Sequence, residues 1–345
     1  MDHLASVVEL IPGPAFAAQN GTLLCYNHSA AGLVPEPGES ILPLLLTGRE
    51  DYEALTSDVL FLTMDLGGTP AGVTVTAMDG WQLFRFEQDP LPAELQAMGL
   101  VCADLRLPLS NLAMMASRII KDHPSEDAGQ LYRSVSQTLR ILNNVSNAGR
   151  FCADRSDKLV DRDIVAVTAE ILEECASLLA EAGITLQHSL PAQPVIMGLD
   201  AEAYRQAIYN LLDNAAMAAP DSTVEVTLSR KGNRVLLTVT DRGPGIAEAE
   251  KPLLFQSYKR QPSLDPASCR SGLGLAVVRY AATIQGGTVL VSSPRGGPTR
   301  ICLSLPCRKG TQLTMQTSGS ITVPATDNAK VMLSNVLPAR LYERK

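Results

Sequence analysis

The stretch "YRQAIYNLLDNAAMAAP", Tyr204 to Pro220, is helical by its spacing and polar where a buried helix should not be. Apolar residues recur every three or four positions, as on the inner stripe of a helix running from Ala201 to Ala219. Asn210 and Asn214 lie four residues apart, hence on one face, with their amide oxygens pointing the same way. Side-chain oxygens suit a hard cation such as Mg²⁺, which keeps several waters and is shared with nucleotide phosphates. Taken alone, the pair reads equally as a polar patch on an exposed face.

Two further segments lie downstream. In "VTDRGPGI", Asp241 ends an apolar strand and is followed by Gly243 and Gly245. A carboxylate there can accept a hydrogen bond from the amino group of adenine, and glycines let the backbone approach the ring closely. The same letters also make a plain Gly-Pro-Gly turn. In "SGLGLAVV", Gly272 and Gly274 open a helix, where free N–H groups and the positive dipole end attract phosphate. A lone G-x-G serves close helix packing as well. Thirty-one residues separate position 210 from 241, and another thirty-one separate 241 from 272.

Around these segments, helices alternate with strands. "IVAVTAEILEECASLLAEA" closes at Gly183, "ITLQHSL" follows as a strand, and "TVEVTLSR" and "RVLLTVTD" flank a turn at Lys231-Gly232-Asn233. "TVLVSS" and "TRICLSLP" complete a mixed sheet, so this part is an α/β sandwich of about 150 residues. The first ninety or so residues instead alternate short apolar runs with turns, Asn20-Gly21 giving a strong hairpin signal. They read as an α+β module of mostly antiparallel sheet.

Between the two, Met98, Val101, Leu105, Leu109, Leu112, Ala116 and Ile119 form one helical stripe, and Leu131, Val135, Leu139, Leu142 and Val145 a second. Pro124 is placed to start the second helix. A two-helix hairpin cannot cover its own stripe, and a four-helix bundle made by two chains would, which implies a homodimer. The fold class expected is therefore multidomain α+β. Its parts are an N-terminal module over 1–92, a helical hairpin over 93–155, an α/β sandwich over 156–307 and a basic tail of unknown role over 308–345. The tail carries six Lys and Arg against two acids and reads as disordered or loosely packed.

In this order, the asparagine pair and the two glycine turns resemble the N box and the first and second glycine boxes of one ATPase superfamily. Sensor histidine kinases, type II topoisomerases, Hsp90 chaperones and MutL-type repair proteins share it. "PLLFQSYKR" resembles the family's F box, with Phe255 as its aromatic, and the likeness runs from Asp163 to about Leu305. It implies an ATP site of Asn210, Asn214, Asp241, Gly243, Gly245, Phe255, Lys259, Gly272, Leu273 and Gly274, with Mg²⁺ on the two asparagines. Met217 departs from the pattern, standing where many relatives carry a phosphate-reaching lysine. Lys259, Arg260 and Arg270 are the candidates to neutralise phosphate in its place, or are ordinary solvated surface.

A helical hairpin before such a domain narrows the resemblance to the sensor histidine kinases, whose first hairpin helix carries His-Glu-x-x-x-Pro-Leu. Here the matching run lies in "VCADLRLPLSNL", where Asp104, Arg106, Pro108 and Leu109 fit. Ala103 stands in place of the phosphorylated histidine and has no nucleophile. Asp104 is then a vestigial base with nothing adjacent to deprotonate, and Leu107 replaces the polar residue linked to dephosphorylating a response regulator. Asp104 and Arg106 also read as a solvated pair, and Pro108 as a kink. His3, His28, His123 and His188 lack the helix context of an acceptor. "PGPAFAAQNGTLLCYNHSAAGLV" resembles the opening of a PAS sensor domain.

Composition excludes other classes. At 46% hydrophobic and 19% charged residues the chain is a folded protein, and its net charge of -7 argues against nucleic acid as a partner. Seven scattered cysteines show neither disulfide framework nor zinc spacing, and no apolar run approaches the roughly 20 residues that span a bilayer. The expectation is a cytoplasmic, dimeric, histidine-kinase-like protein that binds Mg-ATP without autophosphorylation at position 103. Its enzymatic reading is that of an ATP-dependent phosphotransferase. A noncatalytic ATP-gated scaffold for a response regulator or a true kinase stays open, as does a serine kinase of the anti-sigma-factor type.

Overall fold

A computed structural model describes residues 2–55, 58–86, 92–123, 125–151, 159–256, 273–310 and 325–342. Pro124, Cys152, Lys259, Arg260, Cys269, Arg270 and Gly272 lie outside them.

After α1 (Asp2–Glu9), the N-terminal module forms β1 (Ala15–Gln19), β2 (Thr22–Tyr26), the short helix α2 (Arg49–Glu53), β3 (Val59–Leu66), β4 (Thr69–Met78) and β5 (Trp81–Phe86). Asn20 and Gly21 take φ of 50° and 76°, the left-handed pair that a tight β-hairpin requires. The strands pair antiparallel in the order β2-β1-β5-β4-β3. Phe16 and Phe84 stack with ring centroids 4.4 Å apart inside this module.

The hairpin is α3 (Pro92–Asp122) and α4 (Glu126–Phe151). Ser125 caps α4, its Oγ accepting the Ala128 N–H at 3.2 Å. The second stripe is buried from Val135 to Val145, with Leu131 exposed. Most of the first stripe is not covered within one chain: Val101, Leu105, Leu112 and Ile119 are exposed, while its member Ala116 is buried together with Cys102 and Ile120 from beside the stripe.

The C-terminal part runs β6 (Val160–Asp163), α5 (Ile164–Glu181), β7 (Thr185–Ser189), β8 (Ile196–Leu199), α6 (Ala201–Ala218), β9 (Thr223–Lys231), β10 (Arg234–Thr240), α7 (Gly274–Ile284), β11 (Thr288–Ser292) and β12 (Arg300–Pro306). Asp163 caps α5 and Asp200 caps α6, each accepting a backbone N–H of its helix. The sheet order is β11-β12-β10-β9-β7, antiparallel except for β7 beside β9. The three helices cover it in a single apolar core. The four-residue strands β6 and β8, which pair with each other, are too short to show a period and escaped the sequence analysis.

Two long-range features join these parts. First, β3 pairs antiparallel with β11, so the module and the sandwich share one ten-stranded sheet. Each edge strand satisfies the other's free backbone groups. Phe61 of β3 packs 5.6 Å from Phe255, and the Asp51 carboxylate accepts hydrogen bonds from Thr288 Oγ1 at 2.6 Å and Arg234 Nη2 at 3.2 Å. Gly48 has φ 69°, and a Cβ there would come within 2.3 Å of Thr288 Cγ2, so this crossing needs a glycine. Second, the tail corrects its expected looseness. Helix α8 (Ala325–Met332) and a 3₁₀ turn, Ala339–Tyr342, bury Ala329, Met332, Leu333, Leu337 and Tyr342 against α4, α5 and α6. Apolar residues four apart in a short segment form a core when three other helices supply its remaining walls.

Candidate functional site

Helix α6 is the spine of the candidate site. Asn210 and Asn214 lie on successive turns, and α7 begins against both. A Cβ added to Gly274 would stand 3.2 Å from Asn210 Oδ1 and 3.5 Å from Asn214 Oδ1. One turn further along α6, a Cβ on Gly243 would meet the Ala218 carbonyl at 3.0 Å. The asparagine pair and the two glycine segments therefore gather along one side of one helix, although 64 residues separate Asn210 from Gly274 in sequence.

Asp241 is buried at the end of β10. Its Oδ1 accepts the Gly243 N–H at 2.8 Å, and its own N–H donates to the Thr299 carbonyl at 3.0 Å. Burial pushes its carboxyl above the usual value, opposed by hydrogen bonds from the backbone of Gly243 and Thr299. Gly245 has φ 79° and turns beneath the carbonyls of Pro294 and Gly297. Phe255 is fully buried beside Phe61, so in this structure its ring supports the seam with the N-terminal module. Met217 is half-buried. Lys259 and Gly272 lie outside the described residues.

The hairpin closes over this helix. Asn210 is 2% exposed, and its carboxamide exchanges hydrogen bonds with Asn144 of α4: Asn144 Nδ2 donates to Asn210 Oδ1 at 3.2 Å, and Asn210 Nδ2 to Asn144 Oδ1 at 3.3 Å. Asn210 Nδ2 also donates to the Gln206 carbonyl at 2.9 Å, which sets the amide orientation. Beside this pair, Arg140 forms a buried ion pair with Asp213. Leu273 is buried with Cys102, Leu142 and Val145. On the outer side of α3, Asp104 is exposed, and Arg106 Nη2 donates to Asn143 Oδ1 at 2.9 Å across the hairpin.

The sequence analysis missed Arg140 and Asn144. Their signal was the spacing of Ser136, Arg140 and Asn144, polar residues four apart beside an apolar stripe, all three of which are buried. Nothing local distinguishes such a row from a solvated face until the surface it meets is known.

Residues 199–309 match the family described as "Histidine kinase-, DNA gyrase B-, and HSP90-like ATPase", which implies ATP binding. The chain is 30% identical over 223 residues to the sensor histidine kinase MtrB of Mycobacterium tuberculosis, covering 62% of this chain and 39% of that protein. It is also 30% identical over 218 residues to a bacteriophytochrome of Pseudomonas aeruginosa, covering 60% of this chain and 29% of that one. The matched part thus spans well under half of each relative. Among solved structures, full-length ShkA in complex with AMPPNP superposes with a TM-score of 0.51 at 22% identity, over 62% of this chain and 46% of that chain, a likeness of fold. Residues 199–309 thus carry a domain of this ATPase family, and the chain around it is similar to sensor histidine kinases. No helix among the described residues is long and apolar enough to cross a membrane.

Proposed function

We propose that the protein binds Mg-ATP along α6 and takes part in two-component-type signalling in the cytoplasm, without phosphorylating itself at position 103. The observation that carries this reading is the approach of Gly274 to both Asn210 and Asn214, with Gly243 beside Ala218 on the same helix. Two amide oxygens on successive turns fit a hard cation that keeps its waters, so Asn210 and Asn214 would hold Mg²⁺. Asp241 would accept the adenine amino group, and the glycine segments would let the backbone approach the nucleotide.

The bound ion would neutralise phosphate charge. Phosphoryl transfer is largely positioning plus such neutralisation, so the site could serve a side chain other than position 103, on this chain or on a partner. Alanine at position 103 equally favours the second reading, in which ATP only biases the shape of a scaffold that binds a response regulator or a true kinase. The exposed stripe of α3 supports pairing with a second copy in a four-helix bundle. For the N-terminal module, the strand, turn, strand and Asn27-capped 3₁₀ turn His28–Ala30 support a PAS-like sensor over 1–92.

Incubation with γ-labelled ATP and Mg²⁺ tests the reading. The expected result is nucleotide binding that Asn214→Ala weakens about tenfold, with no acid-labile label on the protein. Acid-labile phosphate on the protein would overturn the absence of autophosphorylation. Label on an added response regulator alone would favour transfer in trans over the scaffold.

A further inference from the structure

The tail and the hairpin meet at the side of α6 that carries Asn210, and their contacts form a chain. Arg133 of α4 donates from Nε to the Ser334 carbonyl at 3.3 Å and from Nη2 to the Asn335 carbonyl at 3.1 Å. Asn335 Nδ2 donates to Asp213 Oδ2 at 3.1 Å, on the carboxylate that Arg140 also holds. Tyr342 packs edge-on to Tyr132 of α4, and Arg340 Nη2 reaches the Glu181 carbonyl at the end of α5. The segment 325–342 thereby bridges the hairpin to α5 and α6, and α4 delivers Asn144 onto Asn210.

We propose that this C-terminal segment is a latch that holds the ATP site shut. The proposal rests on the reading of Asn210 as a ligand of the nucleotide's metal ion. The Gln206 carbonyl fixes the amide by its Nδ2, a donor, which leaves Oδ1 of Asn210 as the atom that could face a cation; Asn144 Nδ2 takes one of its two acceptor positions, and the residue is buried. Burial of Asn210 under α4 also denies the ion its waters. Loading the site therefore requires α4 to withdraw, and α4 is tied down by a segment nearly 200 residues away in sequence.

The junction also leaves polar groups unpaired. Among the described residues, Arg140 Nε, Gln206 Oε1 and Ser334 Oγ are buried there without a hydrogen-bond partner. Each such group raises the free energy of the closed form, so a ligand with modest preference for the open form can shift the balance.

The test is calorimetric titration of the full-length chain with a non-hydrolysable ATP analogue, in Mg²⁺ and in EDTA. Asn144→Ala frees Asn210 directly, and Arg133→Ala loosens the tail far from the nucleotide. Both variants are expected to bind the Mg²⁺ complex roughly tenfold more tightly than wild type, the loss of one or two hydrogen bonds from the closed form, with a smaller gain in EDTA. Affinity in both variants equal to or below that of wild type would overturn the latch and leave the nucleotide site standing. Tightening by Asn144→Ala alone would overturn the role of the tail. Absence of binding in all three proteins, at millimolar analogue, would overturn the nucleotide site and the latch with it.

Discussion

Helices α3 and α4 are two arms of one hairpin with similar apolar spacing, yet they meet different surroundings. Along α4, Val135, Leu139, Leu142 and Val145 are each no more than 9% exposed, and the buried polar row Ser136, Arg140 and Asn144 runs beside them. Along α3, Val101 is 57% exposed, Leu112 50% and Met115 60%. The sequence pattern says that a stripe will be covered; it does not say by what. For α4 the cover is the inner side of α3 together with the chain's own ATPase domain and tail. For α3 we assign it to a second copy.

The sharpest way to break this contrast is Arg140→Met. It takes the paired guanidinium away from the buried Asp213 carboxylate, and unfolding free energy should fall by about 3–5 kcal/mol. Adding Asp213→Leu should restore most of that loss in chemical denaturation. On α3, joint Leu112→Glu and Met115→Lys should raise the dimer dissociation constant about 100-fold by sedimentation, since charged groups must then be desolvated at the seam. The same pair should change the stability of the isolated chain by no more than about 0.5 kcal/mol. An equal destabilisation on both arms would show that α3 is already covered within one chain.

Effects at the site itself are smaller. On the proposed reading Asp241 would accept the adenine amino group when ionised, so nucleotide binding should hold above its pKa and be lost as pH falls through it. Because burial raises that pKa, the loss should set in at a higher pH than an ordinary carboxylate would give, weakening affinity about tenfold. Titrating the analogue against pH checks this, with Asp241→Asn expected to flatten the profile. Least of all, Arg106→Ala removes one exposed hydrogen bond between the arms, and the unfolding free energy from chemical denaturation should change by less than about 0.5 kcal/mol.

How much was legible follows from range. The Asn20-Gly21 hairpin, the Asp163 and Asp200 caps and the helix through Asn210 and Asn214 are decided within a few residues, where side chains act on their own backbone. The ATPase signature was legible for the same reason, since its segments are short and keep their order. The strand pairing of β3 with β11, the buried ion pair of Arg140 with Asp213 and the docked tail were not. Each joins residues at least 70 positions apart, and nothing in either partner's neighbourhood specifies the other.

The sequence by itself determined most of the elements, their order and the residue types expected of an ATP site, because helix faces, caps and glycine turns are local consequences of side-chain chemistry. Only the tertiary structure decided that Asn210 meets Asn144, that Phe255 supports the N-terminal module and that apolar residues of 325–342 pack into the core. Apolar and hydrogen-bonding surfaces are not selective about sequence distance. Their partners are settled when the whole chain is packed.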